Sequence, residues 1–436
     1  MFEQLAISLA ILLTSSMSAD QSSRPGTLDP IAESYVKLVL EVGQYDEGYV
    51  DFYSGPEEWR PAPLDSTQVS AFPYENLKAK ADSLITQLDS CQGNKTDDLE
   101  KARWLFLYKQ TTAVATRIDM LGGKSLSFDE ESKALFDAVA PSMDTSDFMG
   151  VLLQLDSLLP GSGSIKERLD AYRKKFIIPP EKVGLVMQTA LDSARSRTKA
   201  HMELPAGDSC SLEIVTNKPW RAFNAFKGHS RSVIQLNVDS PVRIGMALHY
   251  ACHEGYPGHH VNASLWEEKL YRGREWVEFS ISPLYAPSSL LAEGIAECAE
   301  GMAFPDDEAL TFERQVLFPL AGLDTSEADR YWQIQNLLDS LGWVAIIVTR
   351  KYLDGELSAR EVLRWAMDFG LFSPQAAEQL VPIAKTYRSY AVTYKLGKIL
   401  VKNWLKANDA SGSVRRRWQL FYDLESTPKV PSELRG

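Results

Sequence analysis

Cysteine is scarce in this chain: Cys91, Cys210, Cys252 and Cys298 are the only four in 436 residues. That is too few for a disulfide framework, and their spacing matches no thiolate zinc site. An excess of positive charge is missing as well. The 46 Lys and Arg stand against 58 Asp and Glu, a formal charge of −12, which argues against a nucleic-acid partner. No apolar run reaches the about 20 residues needed to span a bilayer, and there is neither an internal repeat nor a low-complexity tract. With 44% hydrophobic and 24% charged residues, the composition is that of a chain able to bury a core, so a soluble globular protein is expected.

One short apolar run is informative. Residues 5–13 (LAISLAILL) precede a stretch of small residues ending at Ala19, the pattern of a secretory signal over 1–19, although Met1-Phe2-Glu3-Gln4 lacks the usual Lys or Arg. The expected location is therefore secreted or periplasmic, with no stable membrane insertion once the signal is removed.

Apolar spacings of three and four predict helices over 31–42, 77–88, 99–120 and 181–202, each bounded by Pro, Gly, Asp or Ser. The period changes to two at 210–217 (CSLEIVTN) and 232–238 (SVIQLNV), which predicts two short strands. From Ser288 onward the pattern is helical again, broken at Pro305, Gly355, Gly370, Pro374 and Pro382. The expected fold is mostly α: a large helical domain with a deep cleft and one small β-sheet beside the central motifs. A helical part over 20–205 and a second part over 206–436 are expected, unless the two form one continuous domain.

Histidine is also rare, yet four of the six fall in HYACHEGYPGHH: His249, His253, His259 and His260. Imidazole is the commonest zinc ligand, and a carboxylate following a ligating His can act as general base, as in the HExxH helix. Glu254 follows His253 in that way. Four residues after His253, however, stands Pro257, so a second His must come from elsewhere. On a helix of about 100° per residue, His249 lies roughly 40° from His253, His260 roughly 20° off the same face but two turns away, and His259 on another side. Pro257 removes a backbone donor and Gly258 tolerates positive φ, so the helix is expected to kink or stop there. A kink makes either His259 or His260 reachable, and the spacing does not choose between them.

HEGYPGHH resembles the HExxPGHH signature of the DUF885 family, bacterial proteins regarded as zinc hydrolases related to the gluzincin metallopeptidases. The resemblance extends to SVIQLN at 232–237, to EGIAECAE at 293–300, similar to the family's EGWALYxE helix, and to TYKLG at 393–397, similar to its SYKxG segment. It departs where Ile295 and Cys298 replace the Trp and Tyr of the EG helix, where Arg388-Ser389-Tyr390 stands for PGQ, and where no GLH precedes Gly342-Trp343. These gaps bear on a shared substrate more than on a shared metal site. The resemblance implies Glu293 as third metal ligand, with Glu297 orienting a neighbouring side chain from one turn further on, and Tyr394 as donor to the oxyanion. His249 is not needed by the signature and is expected to pack or to support a ligand. Arg388 could hold a substrate carboxylate, and Asn237 could cap the strand 232–238 or touch a substrate pairing with that strand.

Together these residues describe a zinc-dependent hydrolase, foremost a metallopeptidase, acting on a peptide or small amide in a cleft. Zinc held by His253, by His259 or His260, and by Glu293 would acidify water while Glu254 takes the proton. A metal-dependent hydrolase of a non-peptide amide or ester, and an inactive peptide-binding protein of the same fold, are the alternatives.

Overall fold

The computed structural model describes residues 28–92, 97–409 and 412–435; the expected signal at 1–19 lies outside the described residues. The four N-terminal helices are present as Asp29–Val42, Tyr74–Cys91, Asp98–Leu121 and Val183–His201. Local chemistry sets their starts. Asp97 accepts the Leu99 amide at the head of the third helix, and Pro30 occupies the first turn of the first, where a missing N–H is harmless.

The apolar faces of these helices merge into one cluster. Tyr35, Leu84, Ile118 and Leu191 share it with Leu290, Ile347 and Phe421 from the C-terminal half. Each large apolar side chain so buried contributes about 1.5–3 kcal/mol, which fastens the N-terminal helices to the part that carries the motifs. The fold is mostly α with small sheets, and no described helix is long and apolar enough to cross a membrane.

Among the described residues there are five short strands: β1 (Val50–Tyr53), β2 (Ser209–Val215), β3 (Ala222–Phe226), β4 (Arg231–Asn237) and β5 (Ile281–Pro283). The expected strands are β2 and β4, which pair in parallel. β3 was not expected; it folds back on β4 in antiparallel register. The turn between them places Gly228, His229 and Ser230 at positive φ. The order is thus β2-β4-β3. β4 has both edges occupied, so the expectation that it lends an edge to an extended substrate is corrected, and β3 is the strand whose edge lies open toward the cleft.

β1 and β5 form a separate antiparallel pair. Val50 opposes Pro283 and Phe52 opposes Ser282, so Asp51 is one residue too many and forms a bulge. From β5 the chain passes into the long helix Pro287–Ala303, with Pro287 at its first position.

Candidate metal centre

The histidine-rich segment starts as an α-helix, Ile244–Tyr250, and widens into a π-helical turn, Ala251–Gly255, that carries His253 and Glu254. Such turns are frequent at functional sites because they re-aim side chains. The chain then crosses the cis Tyr256–Pro257 bond and restarts as the helix His259–Leu265. Pro257 offers no N–H to continue the ladder. Gly258 packs so tightly under the preceding turn that a Cβ there would lie 2.0 Å from the His253 carbonyl oxygen and 2.4 Å from that of Cys252. The expected bend is therefore present, and it turns His259 back onto His253, with ring centroids 4.7 Å apart and planes at 87°.

Glu293, on the helix Pro287–Ala303, meets this pair. Its Oε2 lies 3.5 Å from His253 Nε2 and 3.7 Å from His259 Nε2. A tetrahedral ion with ligand bonds of about 2.0–2.1 Å sets its ligand atoms about 3.4 Å apart, so these separations suit one shared zinc-sized cation. One nitrogen from each imidazole and one carboxylate oxygen lie within 4.8 Å of one another. Glu293 Oε1 accepts a hydrogen bond from the Tyr390 hydroxyl at 3.0 Å, whereas Oε2 is buried with no hydrogen-bond partner among the described residues. A buried carboxylate oxygen left bare toward two imidazoles fits a cation site, since such an atom is otherwise costly to bury.

The electrostatics agree. Burial opposes charge on Glu293, but His259 and His253 outweigh it and hold the carboxyl well below the usual range. Burial likewise opposes a charged His259, yet Glu293, Glu254 and Asp51 prevail and its pKa rises to about 9. The pocket attracts positive charge.

His260 does not join this group. It is fully buried on the opposite side of the bend, with Nδ1 2.8 Å from Ser232 Oγ and Nε2 2.8 Å from Asp208 Oδ1. Adjacent residues on a helix point about 100° apart, so once the bend delivers His259 to the cluster, His260 must face elsewhere. Asp208 also accepts from the Tyr256 hydroxyl at 2.9 Å and pairs with Arg195 at 2.6 Å, which fixes the bend from behind.

Glu297, one turn after Glu293, lies 3.6 Å from His253 Nδ1 and 3.8 Å from His249 Nε2, with Lys398 3.6 Å from its other oxygen. His249 also faces Glu300 at 3.6 Å and stays outside the group around Glu293. Tyr394 stands over His253 with ring centroids 6.5 Å apart and lines the same cleft.

One expected substrate contact is corrected. Asn237 is buried away from the cleft, its amide donating to the carbonyls of Lys218 and Trp220 and its oxygen accepting the Asp239 amide. Arg388 lines the cleft, as the expectation requires, with its Nε donating to the fully buried Glu131 at 2.7 Å.

The cleft encloses about 830 Å³. His253, Glu254, His259 and Glu293 form part of its wall, with β3 and an aromatic surface that includes Trp220 and Trp266 alongside. Residues not singled out from the sequence also contribute. Asn224 on β3 donates its amide to the Glu254 carbonyl oxygen and accepts from Ser232, which ties the strand to the π-helical turn. Asp51 reaches the cleft from the β1 bulge, and no local motif marks either residue.

No family model matches the chain. No curated protein matches it either. Among solved structures, it is similar to a protein from Colwellia psychrerythraea described as a lipoprotein, at 14% identity and a TM-score of 0.47, over 83% of this chain and 68% of that one. A protein from Shewanella oneidensis, described as a lipoprotein of unknown function, is 11% identical with a TM-score of 0.45, over 84% of this chain and 71% of that one. An M32 carboxypeptidase from Deinococcus radiodurans R1 is 14% identical with a TM-score of 0.36, over 93% of this chain and 92% of that one.

Proposed function

We propose that this chain is a metal-dependent hydrolase, foremost a zinc metallopeptidase, of the kind implied by its resemblance to the DUF885 signature. The observation that carries this reading is the convergence of His253 Nε2 and His259 Nε2 on the unpartnered Oε2 of Glu293, with Glu254 beside them in the cleft. His253, His259 and Glu293 would hold the ion. Bound there, zinc supplies Lewis acidity that polarises a carbonyl and acidifies water.

The chain's own groups do the rest. Glu254 takes the proton of the attacking water and returns it to the leaving amine. Tyr394, on the wall beside His253, donates a hydrogen bond to the developing oxyanion. Tyr390 and Glu297 keep Glu293 and His253 in place, the outer contacts on which ligand orientation depends. The open edge of β3 offers main-chain groups to an extended peptide. Export, to the periplasm or beyond the cell, belongs to the same proposal and rests on the apolar run at 5–13.

The test is metal content together with turnover on a peptide library. About one zinc per chain is expected, lost in His253→Ala. Glu254→Gln is expected to keep the metal and to lose about 10²–10⁴-fold in kcat. Turnover retained in Glu254→Gln, or a wild-type chain that takes up no metal from zinc-containing buffer, overturns the reading.

A further inference from the structure

We infer that Asp51 selects substrates by binding a protonated amine, the free amino terminus of a peptide, and so directs hydrolysis to the bond next to that terminus. This rests on the hydrolase reading above.

The placement of Asp51 comes from strand register. The extra residue of a bulge leaves the ladder, and its side chain is re-aimed. Because β5 runs on into the helix that carries Glu293, pairing β1 to β5 brings a residue 242 positions earlier in the chain to the same cleft as Glu293 (293 − 51 = 242). Asp51 lines the wall together with His253, Glu254, His259 and Glu293. Burial raises its pKa, Glu293 and Glu254 add to the rise, and His259 opposes it, so all three of those charges are felt at Asp51.

Among the described residues, the Asp51 side chain has neither a hydrogen-bond nor an ion-pair partner, which leaves an anion at the cleft wall with its acceptors unused. The guanidinium groups of the same wall each have a partner within the protein. Arg388 is paired with Glu131, and Arg221 donates to the carbonyls of Ser240 and Pro241 at 3.0 Å each. Lys227 lines the cleft from just past the end of β3. The wall that carries the histidines thus offers an unpaired carboxylate at Asp51, and the complement of that carboxylate is a cationic group.

Reach decides which amine. The α-ammonium of a peptide is separated from the first scissile carbonyl by a single carbon, whereas a lysine ammonium hangs at the end of a four-carbon stem. Asp51 lines the same wall as His253, Glu254, His259 and Glu293, and an anion so placed suits the short connection.

The experiment compares the zinc-loaded full chain on peptides with free and N-acetylated termini, with an acetylated lysine-containing peptide as the third arm. In parallel, the Kd of phenylalanine hydroxamate and of its N-acetyl derivative are measured by calorimetry. Acetylation is expected to lower kcat/KM by about 100-fold and to weaken the hydroxamate comparably, because it removes the cationic partner of the Asp51 carboxylate. In Asp51→Asn both ratios are expected to shrink to within about threefold, with wild-type zinc stoichiometry, and Asp51→Glu is expected to recover part of the preference. Equal use of free and acetylated peptides by the wild type, or a preference that survives in Asp51→Asn, overturns the assignment. Efficient cleavage of the acetylated lysine peptide overturns the choice of the amino terminus. Hydrolysis without amine preference sinks this inference alone, whereas a metal-free chain that cleaves none of the peptides and binds neither hydroxamate sinks the hydrolase reading with it.

Discussion

Gly294 and Gly397 touch backbone to backbone. A Cβ on Gly294 would lie 2.5 Å from the Gly397 carbonyl carbon, and one on Gly397 would lie 2.5 Å from the Leu290 carbonyl oxygen. Here the helix Pro287–Ala303, which carries Glu293, crosses the helix Thr393–Asn408, which carries Tyr394. The close approach sets the depth at which Tyr390 and Tyr394 stand over Glu293 and His253.

Glycine inside a helix normally costs about 0.5–1 kcal/mol relative to alanine, so Gly397→Ala on a free helix surface would stabilise. At this crossing the added methyl has no room, and a loss of about 1–3 kcal/mol is expected instead. Activity should fall further than the loss of folded protein explains, because the tyrosines move off Glu293. Denaturant titration and kcat at a temperature where both proteins are folded check this; a Gly397→Ala chain more stable than wild type contradicts it.

The neighbouring histidines should separate by phenotype. His259→Ala removes a proposed ligand and is expected to weaken zinc binding by several orders of magnitude while leaving the thermal midpoint of the metal-free protein nearly unchanged. His260→Ala strands the buried Ser232 and Asp208 groups and is expected to destabilise by about 2–4 kcal/mol. Its metal affinity, measured well below the melting transition, should stay close to wild type. The reverse pattern would show that the bend delivers the other imidazole.

Glu297 faces His253 Nδ1 at 3.6 Å on the side away from Glu293. A carboxylate there fixes the ring and raises ligand basicity, so Glu297→Ala is expected to weaken zinc binding by about 10–100-fold without abolishing it. Competition with a chelator of known affinity reads this directly. No change would mean that His253 is held by packing alone.

Helix periods and the HEGYPGHH segment were legible because both are local. The spacing of apolar residues encoded the N-terminal helices, and Pro257-Gly258 encoded the bend. What the bend would deliver was not legible, since the choice between His259 and His260 depends on the exit angle of a π-helical turn and on Asp208, Tyr256 and Ser232 arriving from other elements. β3 escaped notice because AFNAF has no clear alternation and becomes a strand by pairing with β4. Asp51 escaped for a stronger reason: its position follows from a register shift against a strand of three residues more than two hundred positions away.

Glu313 supplies a pH dependence that lies outside the proposed metal centre. It is buried at 3% exposure beside the charge of Glu300, with one oxygen accepting the Trp332 indole N–H at 3.0 Å. Burial, and then Glu300, push its pKa from 4.5 up to about 8 against the opposing pull of the Trp332 hydrogen bond. The folded protein thus holds Glu313 protonated where the unfolded chain has released the proton. Below the ordinary carboxyl pKa both states are protonated and the group is neutral toward stability. As pH rises from there toward the folded pKa, the unfolded state is favoured by up to about 1.4 kcal/mol per pH unit, and the loss is complete above it. Glu313→Gln keeps an uncharged acceptor for Trp332 and removes this slope. Denaturant titrations of both proteins with metal chelated should give closely similar stabilities near pH 5 and a more stable variant near pH 8; parallel curves across that window would mean that Glu313 is ionised in the folded chain.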